Sequence, residues 1–158
     1  MGKGPAHMAA TKKPSTRIFS DEELAAMKES IKERKKSAKL SPEEQRAAGK
    51  ADVKAKIAEM PADDRAMATR VYDLVTATAP DLVPRTFYGM PAWSKDGKVI
   101  VFFQSKSKFK VRYSTLGFQH DARLDDGGMW PVAFALLKPT PADEKQIAQL
   151  VKKAAGVG

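Results

Sequence analysis

The sequence predicts an α+β fold: a curved antiparallel β-sheet of about four to six strands with helices packed on one face, preceded by an N-terminal helical extension. Three observations predict it. Capping signals and helical periodicity fill residues 20–79. Aromatic and β-branched residues with turn punctuation fill residues 86–137, which suits a pleated, half-buried surface. A last capped helix follows Thr140, so the order is helices, then antiparallel strands, then a helix, with no βαβ alternation. The resulting division is a leader and disordered tail over 1–19, a helical extension over 20–60 and an α+β domain over 61–155.

The chain has 158 residues, enough for one domain with a real core. It has no cysteine, which excludes disulfides, thiolate metal sites and a cysteine nucleophile and fits a reducing cytosol. No apolar run is long enough to cross a bilayer, and no secretory segment opens the chain. The formal net charge is +9, which favours acidic partners: nucleic acid first, an acidic protein or an anionic membrane surface next. The excess is spread, with 14 Lys+Arg against 9 Asp+Glu in residues 1–60 and 14 against 10 in residues 61–158.

Taken in order, Met1 to His7 reads as an added leader before a start at Met8, and Ala9 to Arg17 as a disordered basic tail. Ser20 and Glu23 form a capping box, with Phe19 and Leu24 as a hydrophobic staple across it. Leu24, Met27 and Ile31 share one helical face, so the apolar first half should dock, while the charged run Lys32 to Lys39 should be solvated. Ser41, Pro42 and Glu44 start a second helix, Ala-rich, with Gly49 inside and only Val53, Ile57 and Met60 to bury. It should be marginal. Pro61 opens an amphipathic helix through Met67, Val71, Leu74 and Val75, which ends near Ala79 because Pro80 disfavours helix before it.

Thr86 to Tyr113 reads as an antiparallel meander. Gly89 permits an unusual backbone angle, Pro91 marks a bulge or an edge, and Asp96-Gly97 is a two-residue hairpin turn. Ser105 to Tyr113 alternates, placing Lys106, Lys108, Lys110 and Arg112 on one strand face. Ser114 to Phe118 extends the strand, Gln119 to Leu124 is a short helix or loop, and Asp125 to Gly128 is a turn cluster. Trp130, Val132, Phe134 and Leu136 recur at period two over Met129 to Leu137, an edge strand at Pro131. Thr140 caps the final helix, with Pro141 at its first position and Ile147, Leu150, Val151 and Ala154 on its buried face.

For chemistry, the sequence holds no Gly-rich phosphate loop, nucleophile elbow or zinc-helix motif, and beyond His7 its one histidine is His120. That leaves a non-enzymatic protein as the expectation. On a strand, Lys106, Lys108, Lys110 and Arg112 would place cations about 6.6–6.8 Å apart, near phosphate spacing, making them the candidate anion or nucleic-acid site. The plainer reading is a solvated sheet face or an edge guarded by lysines. Tyr88, Met90, Trp93 and Trp130 are the candidate pocket residues, although strand aromatics commonly belong to the core. The acidic turn with His120, Asp121, Asp125 and Asp126 has no metal-loop spacing.

Tyr88-Gly89-Met90-Pro91-Ala92-Trp93, then Asp96-Gly97-Lys98 and an apolar strand, resemble the signature of the YdhG-like family of small bacterial domains. The likeness continues through Phe102-Phe103, the Lys108 to Tyr113 stretch, Met129-Trp130-Pro131 and the Pro141 to Ala154 helix, and covers roughly residues 60 to 155. The resemblance implies a frataxin-like fold and, for some members, an iron-chaperone role. Carried to this chain, iron would fall to Asp63, Asp64 and Asp73, and no catalytic residue is implied. The expectation is therefore a cytoplasmic binding or carrier module with no resident cofactor beyond transient iron; the alternative is a nucleic-acid-associated protein acting through Lys106 to Arg112.

Overall fold

The structure, a computed structural model, describes residues 18–157; the expectations for the leader and for the tail up to Arg17 lie outside it. Its elements are α1 (Asp21–Ser37), α2 (Pro42–Ala58), α3 (Ala62–Thr78), β1 (Val83–Phe87), β2 (Met90–Lys95), β3 (Lys98–Gln104), α4 (Lys106–Phe109), β4 (Ser114–Phe118), β5 (Ala133–Leu136) and α5 (Pro141–Ala154). The five strands form one open antiparallel sheet in the order β1-β2-β3-β4-β5. The α+β fold with an antiparallel sheet is thus the one the sequence predicts.

Local chemistry sets the boundaries. Ser20, Ser41 and Thr140 each complete a capping box, with Glu23, Glu44 and Asp143 respectively. Each box satisfies two backbone donors that a helix start would leave without partners. Asp96 and Gly97 both have positive φ, as a type I′ hairpin requires. Tyr88 and Gly89 do too, so β1 and β2 are a second tight hairpin that begins three residues before the meander expected from Thr86. The irregularity in β2 falls between Trp93 and Ser94, beyond Pro91.

One core holds the sheet and three helices together. Val53 and Ile57 of α2, Ala68, Val71 and Val75 of α3, and Ile147 and Val151 of α5 pack with Trp93, Val101, Phe103 and Leu116 of the strands. The second helix is therefore anchored, not marginal. Its glycine is the reason: Gly49 lies against the β1 backbone so closely that a Cβ there would fall on the Pro84 carbonyl oxygen. A helix that approaches a strand that closely can bury Val53 completely with very few apolar residues.

Three sequence expectations are corrected. Lys106 to Phe109 is a short helix followed by left-handed Lys110, not a strand, so no row of strand cations exists. Period-two alternation misled because a buried carboxylate, described below, captures the segment. The fifth strand is short: Met129 and Val132 are exposed, and only Trp130, Phe134 and Leu136 reach the core. In α1, Leu24, Met27 and Ile31 are 41%, 37% and 49% exposed, and the helix docks through its charged side instead. Phe19 is exposed as well.

Candidate functional site

The inward side of α1 is acidic. Its residues Glu22, Ala26, Glu29 and Glu33 follow helical spacing down one face. Glu22 pairs with Lys110 at 3.0 Å, and Glu29 takes Lys56 at 2.9 Å and Lys108 at 3.3 Å. Glu33 accepts from the backbone N–H of Tyr88 at 3.0 Å and of Gly89 at 2.9 Å. The hairpin turn thus finds its acceptors on α1. Burial pushes the Glu29 carboxyl up, but the lysines on either side outweigh it and hold the group below the usual range. The hydrogen bond from Lys110 is the chief reason that Glu22 is likewise lowered.

A fully buried acid organises the start of α4. Asp64, 1% exposed in the first turn of α3, accepts from Lys106 Nζ at 2.6 Å and from the Ser107 N–H at 3.2 Å. Burial raises its pKa, and these bonds more than compensate, so the net displacement is downward. The Lys106 N–H donates to the Oγ of fully buried Ser114. A carboxylate this deep needs partners, and supplying them bends residues 105–110 out of strand geometry.

Between α1, α2 and the edge strand β1 lies a cleft of about 360 Å³. Lys36–Asp52 and Lys56–Glu29, both at 2.9 Å, tie α1 to α2 across it. Its other border is Arg85 and Thr86 of β1. Arg85 donates through Nε to the Thr86 carbonyl at 3.2 Å. Among the described residues, neither Arg85 nor the cleft-lining Lys32 has a carboxylate within ion-pair distance. The cleft walls are therefore zwitterionic, with two cations outside any ion pair among the described residues.

The residues singled out by sequence do not converge on one site. Lys106, Lys108 and Lys110 face Asp64, Glu29 and Glu22, while the Arg112 guanidinium sits over the Tyr113 ring at 5.1 Å. Tyr88 is in the β1–β2 turn, Met90 and Trp93 are buried in β2, and Trp130 leans on the core before β5. None of the four borders the cleft. Asp63 is exposed, Asp64 is engaged with Lys106, and Asp73 lies more than two turns further along α3. Among the described residues no three His, Cys, Asp or Glu side chains come together as a metal site. Sequence reasoning missed Glu29, Glu33 and Arg85; the one available signal was Gly49 inside a helix, a mark of close backbone approach. Comparison with family models, curated proteins and solved structures gave no match to this chain.

Proposed function

We propose that this chain is a cytoplasmic, non-enzymatic binding module that takes a small polyanion, carboxylate or phosphate, in the α1–α2–β1 cleft. The observation that carries this reading is Arg85: a half-buried residue bordering a cleft, whose guanidinium donates through Nε to the Thr86 carbonyl and, among the described residues, has no carboxylate within ion-pair distance. A guanidinium fork matches carboxylate and phosphate oxygens in a bidentate manner, and Lys32 adds a second cation. The titrating groups of the cleft favour binding over proton transfer. Glu29 is held below and Lys56 above its ordinary value, so both stay charged near neutrality, where a general acid or base must exchange.

A YdhG-like carrier role is compatible with this reading and rests on the sequence resemblance at Tyr88 to Trp93 and Met129-Trp130-Pro131. Iron delivery has less to rest on, because Asp64 already holds Lys106. Nucleic-acid binding through Lys106 to Arg112 loses its basis, since three of those four cations are neutralised by acids.

The test is an amide NMR titration of the full chain with inorganic phosphate and, separately, with citrate. Saturable shifts are expected at Gly49, Arg85 and Thr86. Arg85→Met should weaken binding roughly 10- to 100-fold, the worth of a charge-assisted hydrogen bond. Shifts spread evenly over the exposed lysines, or an unchanged titration in Arg85→Met, would reject the cleft as the site.

A further inference from the structure

The outward side of α1 is the strongest feature that the cleft reading leaves unused. Leu24, Met27 and Ile31, spaced three and four apart, form one exposed row, and exposed Ile18 and Phe19 extend it beyond the helix start. Lys28, Lys32 and Lys35 follow at spacings of four and three, and Lys39 lies just past the end of the helix. At 3.6 residues per turn this basic row runs about 60–80° round the axis from the apolar one. Arg34 and the cap-bound Glu23 border the other flank. The acidic side of the same helix is the one clamped to the domain, by Glu22, Glu29 and Glu33. The helix is thus fixed with its lipophilic and cationic sides outward, the reverse of the usual orientation of an amphipathic helix.

We infer that this face of α1 docks on an anionic lipid surface, with the apolar row at the acyl boundary and the lysines among the headgroups. Charge complementarity selects an anionic occupant. A convex ridge of single apolar side chains beside flexible lysine stems suits a fluid interface, because the stems can reach headgroups while the row sinks in. A second copy fits poorly. Five partly exposed side chains fall well short of the roughly 800 Å² per partner that a stable dimer buries. No helix among the described residues is long and apolar enough to cross a membrane, so the contact is peripheral.

The test is co-sedimentation of the full chain with vesicles of phosphatidylcholine alone and with vesicles that also contain phosphatidylserine. Binding is expected only to the latter, weakening steeply with salt. Met27→Ser with Ile31→Ser should lower it at least tenfold. Lys28→Ala with Lys35→Ala should lower it roughly 25-fold, about fivefold per lysine near the surface. All four positions are exposed, so unchanged far-UV circular dichroism verifies the fold, and none borders the cleft, so phosphate or citrate binding there is untouched. Equal binding to both vesicle types, no binding to either, or full binding by the Met27/Ile31 variant would overturn the inference. So would a concentration-dependent dimer that Ile31→Ser abolishes, or capture by an acidic peptide without capture by the vesicles.

Discussion

Gly49→Ala is the sharpest test of how α2 is held. By helix propensity alone the change should stabilise the protein by about 1 kcal/mol, since glycine in a helix interior costs that much relative to alanine. The structure reverses the sign. The new Cβ would overlap the Pro84 carbonyl oxygen and sit 2.9 Å from its carbon, and both are backbone atoms that cannot rotate away. To reach ordinary contact α2 must retreat from β1 by roughly 1.5 Å, and Val53 and Ile57 leave their places in the core with it. Overpacking of this kind costs about 1–3 kcal/mol, and the retreat at a fully buried valine puts the case at the upper end. Offset by the propensity gain, the net expectation is a loss of about 2 kcal/mol, or roughly 4–8 °C in Tm for a chain of this size. Urea titration followed by the emission of buried Trp93 measures it, with an unchanged m-value showing that stability alone has moved. Ala47→Gly, exposed on the same helix, is the control and should cost about 1 kcal/mol. If Gly49→Ala proves more stable than the parent, the close approach of α2 to β1 is wrong.

Three further outcomes are expected. Asp64→Asn should cost about 2 kcal/mol at pH 7 by weakening charge-assisted bonds to Lys106 and Ser107. Because the folded pKa of Asp64 is depressed, its contribution is complete above about pH 4 and fades as pH falls through the folded value; urea midpoints of parent and variant should therefore converge in acid. The same sign holds for Glu22 and Glu29, so below about pH 4 hydrogen exchange across 21–37 should rise relative to 62–78, and the Tyr88 and Gly89 amide resonances should shift as α1 loosens. Tyr88→Asn should raise stability by about 0.5 kcal/mol, since asparagine tolerates the positive φ that tyrosine resists. A thermal melt reads it, and a lower Tm would mean that the edge-on contact of Tyr88 with Phe87 dominates.

What the sequence disclosed was whatever is decided within a few residues. The capping boxes at Ser20 and Ser41, the Thr140 cap, the Asp96-Gly97 turn, the end of α3 at Ala79 and the α+β order are all local chemistry. What it hid depends on contacts across the fold. Lys106 to Arg112 has an alternating pattern, yet Asp64, more than forty positions earlier, draws Lys106 and Ser107 into a helical turn. Strand preference spans about 1 kcal/mol per residue at most and yields to context, whereas a buried carboxylate without partners costs several kcal/mol at a single site.

The same logic explains why the candidate site was hardest to see. Reading apolar residues as inward made Leu24, Met27 and Ile31 the docking face of α1 and left the charged run from Lys32 to Lys39 in solvent. The rule fails because the surface opposite α1 is itself polar: two lysines of residues 106–110, Lys56 of α2, and the backbone donors of a tight turn. Donors in a partly buried place require acceptors, and apolar side chains offer none, so the acidic face turns inward. Once it does, geometry fixes everything else on α1. The lysines at Lys28, Lys32 and Lys35 and the apolar row have nowhere to go but outward, and Lys32 is brought to the lip of a cleft whose Arg85 has no ion-pair partner among the described residues. The cleft and the outer face are therefore two consequences of one buried electrostatic choice. Reversing the charge at Glu29 should disturb both together, whereas changes at Met27 or Arg85 should each disturb only one.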